Sequence, residues 1–249
     1  MPLSIAVLAV AASTLSSAVP AETASYPYED LGQVHVFAPA GPPRGVAVIL
    51  SGDGGWKPAE ASGRLVEALA RRGVLALGLD VNPTIARMAR GGTSYDLAAQ
   101  MQAVAEDGAR RYHAEGPVYL GGYSAGATLA YAAAAQAPSG EVAGLVTAGF
   151  CPDQDTVNPV GNADGATMAF RMTRVAGWVY RPVDMKTPWG LVEGGKERGC
   201  PGGAVDAFVA KVPSARLFVA VGVRHSFSPP AAWQGQLDSA LDHMLGIQD

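Results

Sequence analysis

The chain has 249 residues, with 18 Lys+Arg against 22 Asp+Glu, a net charge of −4 and 49% hydrophobic residues. A mildly acidic balance without basic blocks argues against a nucleic-acid partner. An apolar composition with 16% charged residues excludes a disordered chain, and 31 Gly and 18 Pro without a fixed period exclude collagen-like and solenoid architectures.

Residues 1–21, MPLSIAVLAVAASTLSSAVPA, carry no charge. The apolar run Ile5–Ala12 is too short for a bilayer span, which takes roughly 20 residues. Val19-Pro20-Ala21 fits a small-x-small cleavage site. The segment therefore reads as a secretory signal cut before Glu22, leaving a mature single domain over 22–249 in the periplasm. No second long apolar stretch follows, so the mature chain is expected to be soluble. The two cysteines, Cys151 and Cys200, each precede a proline, and an even count in an exported chain predicts a disulfide. Two Cys and four scattered His give no metal-ligand spacing, so neither a metal nor an organic cofactor is expected.

Downstream, strands and helices alternate. Gln33–Phe37 alternates polar and apolar and predicts an edge strand. Gly45–Leu50 is a continuous apolar run, as in a strand buried on both faces. Ser62–Arg72 carries Leu65, Val66 and Leu69 at helical spacing and stops at Gly73; Val74–Leu79 is a second buried strand. Tyr95–Tyr112 is helical, Pro117–Leu120 a strand, Ala125–Ala137 an Ala-rich helix and Val142–Ala148 a strand. Trp189–Val192 and Leu217–Val221 are further strands, with helices at Val205–Val212 and Ala232–Leu245. This alternation predicts an α/β fold, a mostly parallel sheet with helices on both faces. The stretch of about 150–187 is long for a loop in a compact domain, so it is read as a lid inserted over the site.

Three loops after predicted strands carry chemistry. Gly122-Tyr123-Ser124-Ala125-Gly126 is a G-x-S-x-G between strand and helix, the context in which a nucleophilic serine sits on a strained turn. Ser51-Gly52-Asp53-Gly54-Gly55-Trp56 follows another strand and can aim N–H groups at an oxyanion. The donors expected are Ala125 and either Asp53 or Gly54. Of the four histidines, His225 alone follows a strand with the right chain order, serine before acid before histidine. For the acid, Glu197 is favoured on the loop after Trp189–Val192, with Glu193, Asp206, Asp153 and Asp155 as alternatives.

The motif order resembles the α/β-hydrolase superfamily, a three-layer sandwich. The Ser51–Trp56 loop, the Gly122–Ala127 elbow and Cys200-Pro201 resemble more specifically the bacterial VirJ/AcvB virulence-protein family. That resemblance implies a periplasmic serine hydrolase with Ser124 as nucleophile and His225 as base, acting on aminoacyl esters of phosphatidylglycerol. The chain departs from the family pattern at Ala125-Gly126-Ala127-Thr128 and at Asp80-Val81-Asn82-Pro83. An aminoacyl substrate needs a carboxylate for its ammonium, for which Asp53, Asp80 and Asp96 are candidates. Trp56 and Tyr123 are expected at the substrate. In the lid, Arg171, Arg174, Arg181 and Lys186 among Met168, Phe170, Met172 and Trp178 suit a lipid phosphate beside an apolar, peripheral membrane contact. Two alternatives stand beside this reading: a carboxylesterase or dienelactone-type hydrolase on small soluble esters, and a non-catalytic adaptor of a secretion apparatus.

Overall fold

A computed structural model describes residues 21–92, 95–154, 160, 169–171, 177–198, 200 and 203–247. The predicted signal segment thus lies outside the described residues, except Ala21. The strands are β1 (Ala24–Pro27), β2 (Gln33–Phe37), β3 (Val46–Leu50), β4 (Leu75–Leu79), β5 (Val118–Tyr123), β6 (Gly144–Ala148), β7 (Asp153–Gln154), β8 (Ala169–Arg171), β9 (Trp178–Tyr180), β10 (Trp189–Gly194) and β11 (Ala215–Ala220). The helices are α1 (Ala61–Arg71), α2 (Val81–Gly91), α3 (Leu97–Tyr112), α4 (Ala125–Gln136), α5 (Ala204–Val209) and α6 (Gln234–Leu245).

Eight strands form one sheet in the order β1-β2-β4-β3-β5-β6-β10-β11. Strands β4 to β11 run parallel within it, and β1 and β2 join antiparallel. Gln33–Phe37 is therefore not the edge: Ala24–Pro27, too short and polar to show a pattern, pairs outside it. The period of two divides β3 between the faces. Val46, Val48 and Leu50 join a core cluster with Met101, Leu129 and Tyr131, whereas Ala47 and Ile49 join a second one with Leu65, Leu69 and Leu237. The result is three layers, with α1 and α6 on one face and α2 to α5 on the other.

Within the stretch read as a lid, the described residues form a second small sheet, β7-β9-β8, paired antiparallel. Asp80-Val81-Asn82-Pro83, where the sequence departs from the family pattern, opens α2, with the Asp80 side chain accepting from the Asn82 N–H. Pro83 is tolerated there because first-turn N–H groups have no intrahelical acceptor. Among the described residues, no helix is long and apolar enough to cross a membrane.

Candidate active site

Parallel pairing in register brings five strand ends to one edge. Tyr123 lies opposite Ala148, Ala148 opposite Val192, and Gly194 opposite Ala220. The loops that follow β3, β5, β6, β10 and β11 therefore share one crevice, where ligands of open α/β sheets bind.

Ser124 sits between β5 and α4 with φ 54° and ψ −122°, a conformation a non-glycine residue adopts only under constraint. The constraint is close packing. A side chain at Gly126 would run into the Leu50 and Ser51 backbone, and one at Gly122 would meet Ala127 N at 2.9 Å. The two glycines of the motif are thus required for α4 to lie against β5 and the end of β3. The Ser124 N–H donates to Ala148 O at 3.0 Å, fixing the turn.

His225 Nε2 lies 2.8 Å from Ser124 Oγ, and His225 Nδ1 lies 2.6 Å from Glu197 Oε2. An ionised carboxylate only accepts, so Nδ1 carries the ring proton and Nε2 is the acceptor for the serine hydroxyl. The Glu197 side chain is 11% exposed and that of His225 is 39% exposed. Three predicted residues thus converge from separate loops into a hydroxyl–imidazole–carboxylate relay, an arrangement that can raise a serine's nucleophilicity.

The surroundings hold the imidazole in place. Tyr123 Oη donates to His225 O at 3.0 Å, and its ring lies 5.5 Å from the imidazole. Phe227 is 3% exposed and packs on Trp233, whose Nε1–H donates to Phe227 O. On the other side Gly149, at φ +63°, leaves room for the ring; an added Cβ would stand 3.0 Å from His225 Cε1. The Cys151–Cys200 disulfide, with Cα atoms 5.5 Å apart, joins the segment after β6 to the acid-bearing loop. Thr128 Oγ1 donates to Cys151 O at 2.7 Å, tying that bridge to α4.

A cavity of about 440 Å³ opens over Ser124, walled by Asp53, Asn82, Ile85, Ala125, Thr128, Gly149, Asp153, Glu197, His225 and both half-cystines. Ala125 is the first residue of α4, so its N–H has no intrahelical acceptor. Across from it, Gly55 N–H closes a turn onto Gly52 O, and Asn82 Nδ2 donates to Asp53 O. Asp53 faces the cavity. Gly54 does not line it and packs toward Lys57 Nζ.

Several sequence expectations need correction. Trp56 is outside the cavity lining: its indole stacks on His35 at 5.0 Å and lies over Gly78, where the missing side chain admits it. Tyr123, 8% exposed, supports His225 and does not wall the cavity. Asp80 caps α2 and accepts from Trp56 N at 3.3 Å, and Asp96 caps α3, accepting from Ala99 N; neither faces the cavity. Arg174 and Asp155 lie outside the described residues, and of Arg171 only the β8 backbone is described.

The remaining acids separate cleanly. Glu193 is 6% exposed, with no side-chain partner for its carboxyl among the described residues and the Phe150 main chain beside it. Burial, then the charge of Glu197, pushes its carboxyl up to about 9, so it is neutral at neutral pH. Asp206 lines a small cavity of about 100 Å³ with Glu193 and Glu197. Asp153 walls the main cavity. The sequence reading missed Asn82 and Gly149. An Asp followed by Pro three residues on is a helix-start signal that would have placed Asn82 at the crevice. Gly149, directly after a strand, carried the same positional signal as Ser124.

A family described as bacterial virulence protein (VirJ) matches residues 44–146. That span holds the Gly-rich loop and the elbow; Glu197 and His225 lie beyond it. No curated protein matches the chain. Among solved structures, Est1E from Butyrivibrio proteoclasticus aligns with TM-score 0.61 at 14% identity, over 91% of this chain and 100% of that one. An alpha-beta serine hydrolase homologue from Coxiella burnetii aligns with TM-score 0.52 at 20% identity, over 92% and 99%. Thermogutta terrifontis esterase 2 phosphorylated by paraoxon aligns with TM-score 0.57 at 16% identity, over 86% and 88%. At these identities the likeness shows the fold, which is that of the α/β-hydrolases, and over residues 44–146 the chain resembles VirJ.

Proposed function

We propose that the protein is an exported serine esterase that hydrolyses carboxylic esters through Ser124, His225 and Glu197, with aminoacyl-phosphatidylglycerol as its substrate. The observation that carries the reading is the unbroken relay from Ser124 Oγ through both ring nitrogens of His225 to Glu197. His225 takes the hydroxyl proton as Ser124 Oγ attacks the ester carbonyl; the glycerol alcohol leaves with that proton, and the aminoacyl-enzyme remains. Water, deprotonated by the same imidazole, then releases the amino acid and restores Ser124. The Ala125 N–H, with that of Asp53 opposite, holds the oxyanion in both steps.

The aminoacyl assignment is supported by the charge of the cavity. Its ionisable lining is Asp53, Asp153, Glu197 and His225, with no lysine or arginine among the described residues. Glu197 is engaged by His225, so Asp53 and Asp153 are the carboxylates for a substrate ammonium. The esterase and serine-hydrolase names of the structural neighbours support ester hydrolysis in general. Export is supported by the disulfide, a bond that persists in oxidising compartments. Contact with a membrane follows from the substrate.

The test is turnover of lysyl- and alanyl-phosphatidylglycerol in mixed micelles beside short p-nitrophenyl esters. The proposal expects release of free amino acid, lost in Ser124→Ala. Turnover of the p-nitrophenyl esters alone would remove the lipid and leave a general esterase. Turnover of neither would remove the enzyme.

A further inference from the structure

A second cavity, of about 330 Å³, lies on the other side of the relay. Its walls are Lys196, Arg198, Arg224, Glu197 and His225. Glu197 and His225 therefore separate two spaces of opposite character. The first carries the carboxylates of Asp53 and Asp153; the second carries three cations.

Two observations argue against an ordinary solvated surface. Lys196, Arg198 and Arg224 are all exposed and make no ion pair among the described residues, as is also true of Arg44, Arg71 and Arg216, but these three alone are gathered in one cavity wall beside His225 and Glu197. The backbone also presets their grouping. Lys196 N–H donates to Val223 O at 2.8 Å and Gly195 N–H to Ala220 O at 2.8 Å, clasping the loop after β10 to the end of β11 and the loop that follows it. Three like charges around one cavity repel one another, and the carboxylate in the same wall, Glu197, is engaged by His225, so an added anion lowers that cost.

We propose that Lys196, Arg198 and Arg224 form an anion-binding subsite that takes a phosphate, the phosphodiester of the alcohol released when Ser124 is acylated. This rests on the esterase reading and extends it: the acyl side of the substrate is cationic and the leaving side anionic. Arginine forks suit phosphate oxygens, and Lys196 adds a mobile point charge. Because all three are exposed, binding is modest alone and weakens with salt.

The experiment is calorimetric titration of the full chain with inorganic phosphate and with sn-glycero-3-phosphoglycerol, neither of which is a carboxylic ester. Wild-type protein is expected to bind, more weakly at high salt. K196Q/R198Q/R224Q is expected to bind about tenfold more weakly or worse, and the single variant R224Q in between. Equal affinity for the two anions assigns the subsite to phosphate itself; tighter binding of glycerophosphoglycerol assigns it to the lipid headgroup. No binding of either anion to wild type, or unchanged binding to the triple variant, overturns the proposal. Neither readout depends on turnover, so an inactive protein that still binds these anions would refute the esterase and keep the subsite.

Discussion

Two glutamates four residues apart have opposite fates. Glu193, next to last in β10, is buried in the protein; Glu197, beyond the Gly194-Gly195 turn, reaches the imidazole. The sequence favours Glu197 but keeps four alternatives open, because spacing alone does not say how a loop folds back. The turn that decides it is made by main-chain bonds, Glu197 N–H to Gly194 O and Gly195 N–H to Ala220 O. Replacing the acid with Glu197→Gln removes the charge that stabilises the imidazolium, and esterase kcat is expected to fall about 10²–10⁴-fold with little change in KM. Glu193 has the reverse consequence. Its pKa is raised in the folded state from 4.5 to about 9. The native state therefore holds a proton that the unfolded chain has lost, and stability declines as pH rises between those values and levels off above them. Glu193→Gln is expected to melt higher than wild type, by roughly 2–4 °C for each kcal/mol relieved. The difference should grow from pH 5 to pH 9 by thermal scanning. A constant difference would mean that the carboxyl is not protonated in the fold.

The parallel strands were the most legible elements, because strands buried on both faces read as unbroken apolar runs. Val46–Leu50 and Leu75–Leu79 lie at or within a residue of their expected bounds. The elbow was legible too, since its glycines are demanded by helix–strand contact. What stayed hidden was long-range. Nothing local in Trp56 says that its indole fills the space over Gly78, and β1 is recognisable only by its pairing with β2. The supports of His225 are of the same kind. Gly149→Ala places a methyl group against the imidazole at a left-handed φ. The variant is expected to lose at least about tenfold in kcat while its circular dichroism remains native. Retained kcat would show that the ring has slack on that side. Cys151→Ser with Cys200→Ser removes a cross-link worth about 2–4 kcal/mol in the usual range and frees the acid loop. A lower melting temperature together with a lower kcat is expected, and a change in stability alone would separate the bridge from the chemistry.

Across the whole molecule, the sheet edge gathers chemistry that is dispersed in the sequence. Ser124 and His225 are 101 positions apart, and the family match stops before either Glu197 or His225. The proposed chemistry therefore belongs to the folded edge, with an acidic cavity, the relay and a cationic cavity side by side. The relay itself is what everything else depends on, and a fluorophosphonate probe reads it most directly. With peptide mass spectrometry, one adduct is expected, on the peptide holding Ser124, absent in Ser124→Ala and formed about 10²–10⁴-fold more slowly in His225→Ala. Folded wild-type protein that takes no label, or label that persists in Ser124→Ala, would contradict the esterase reading.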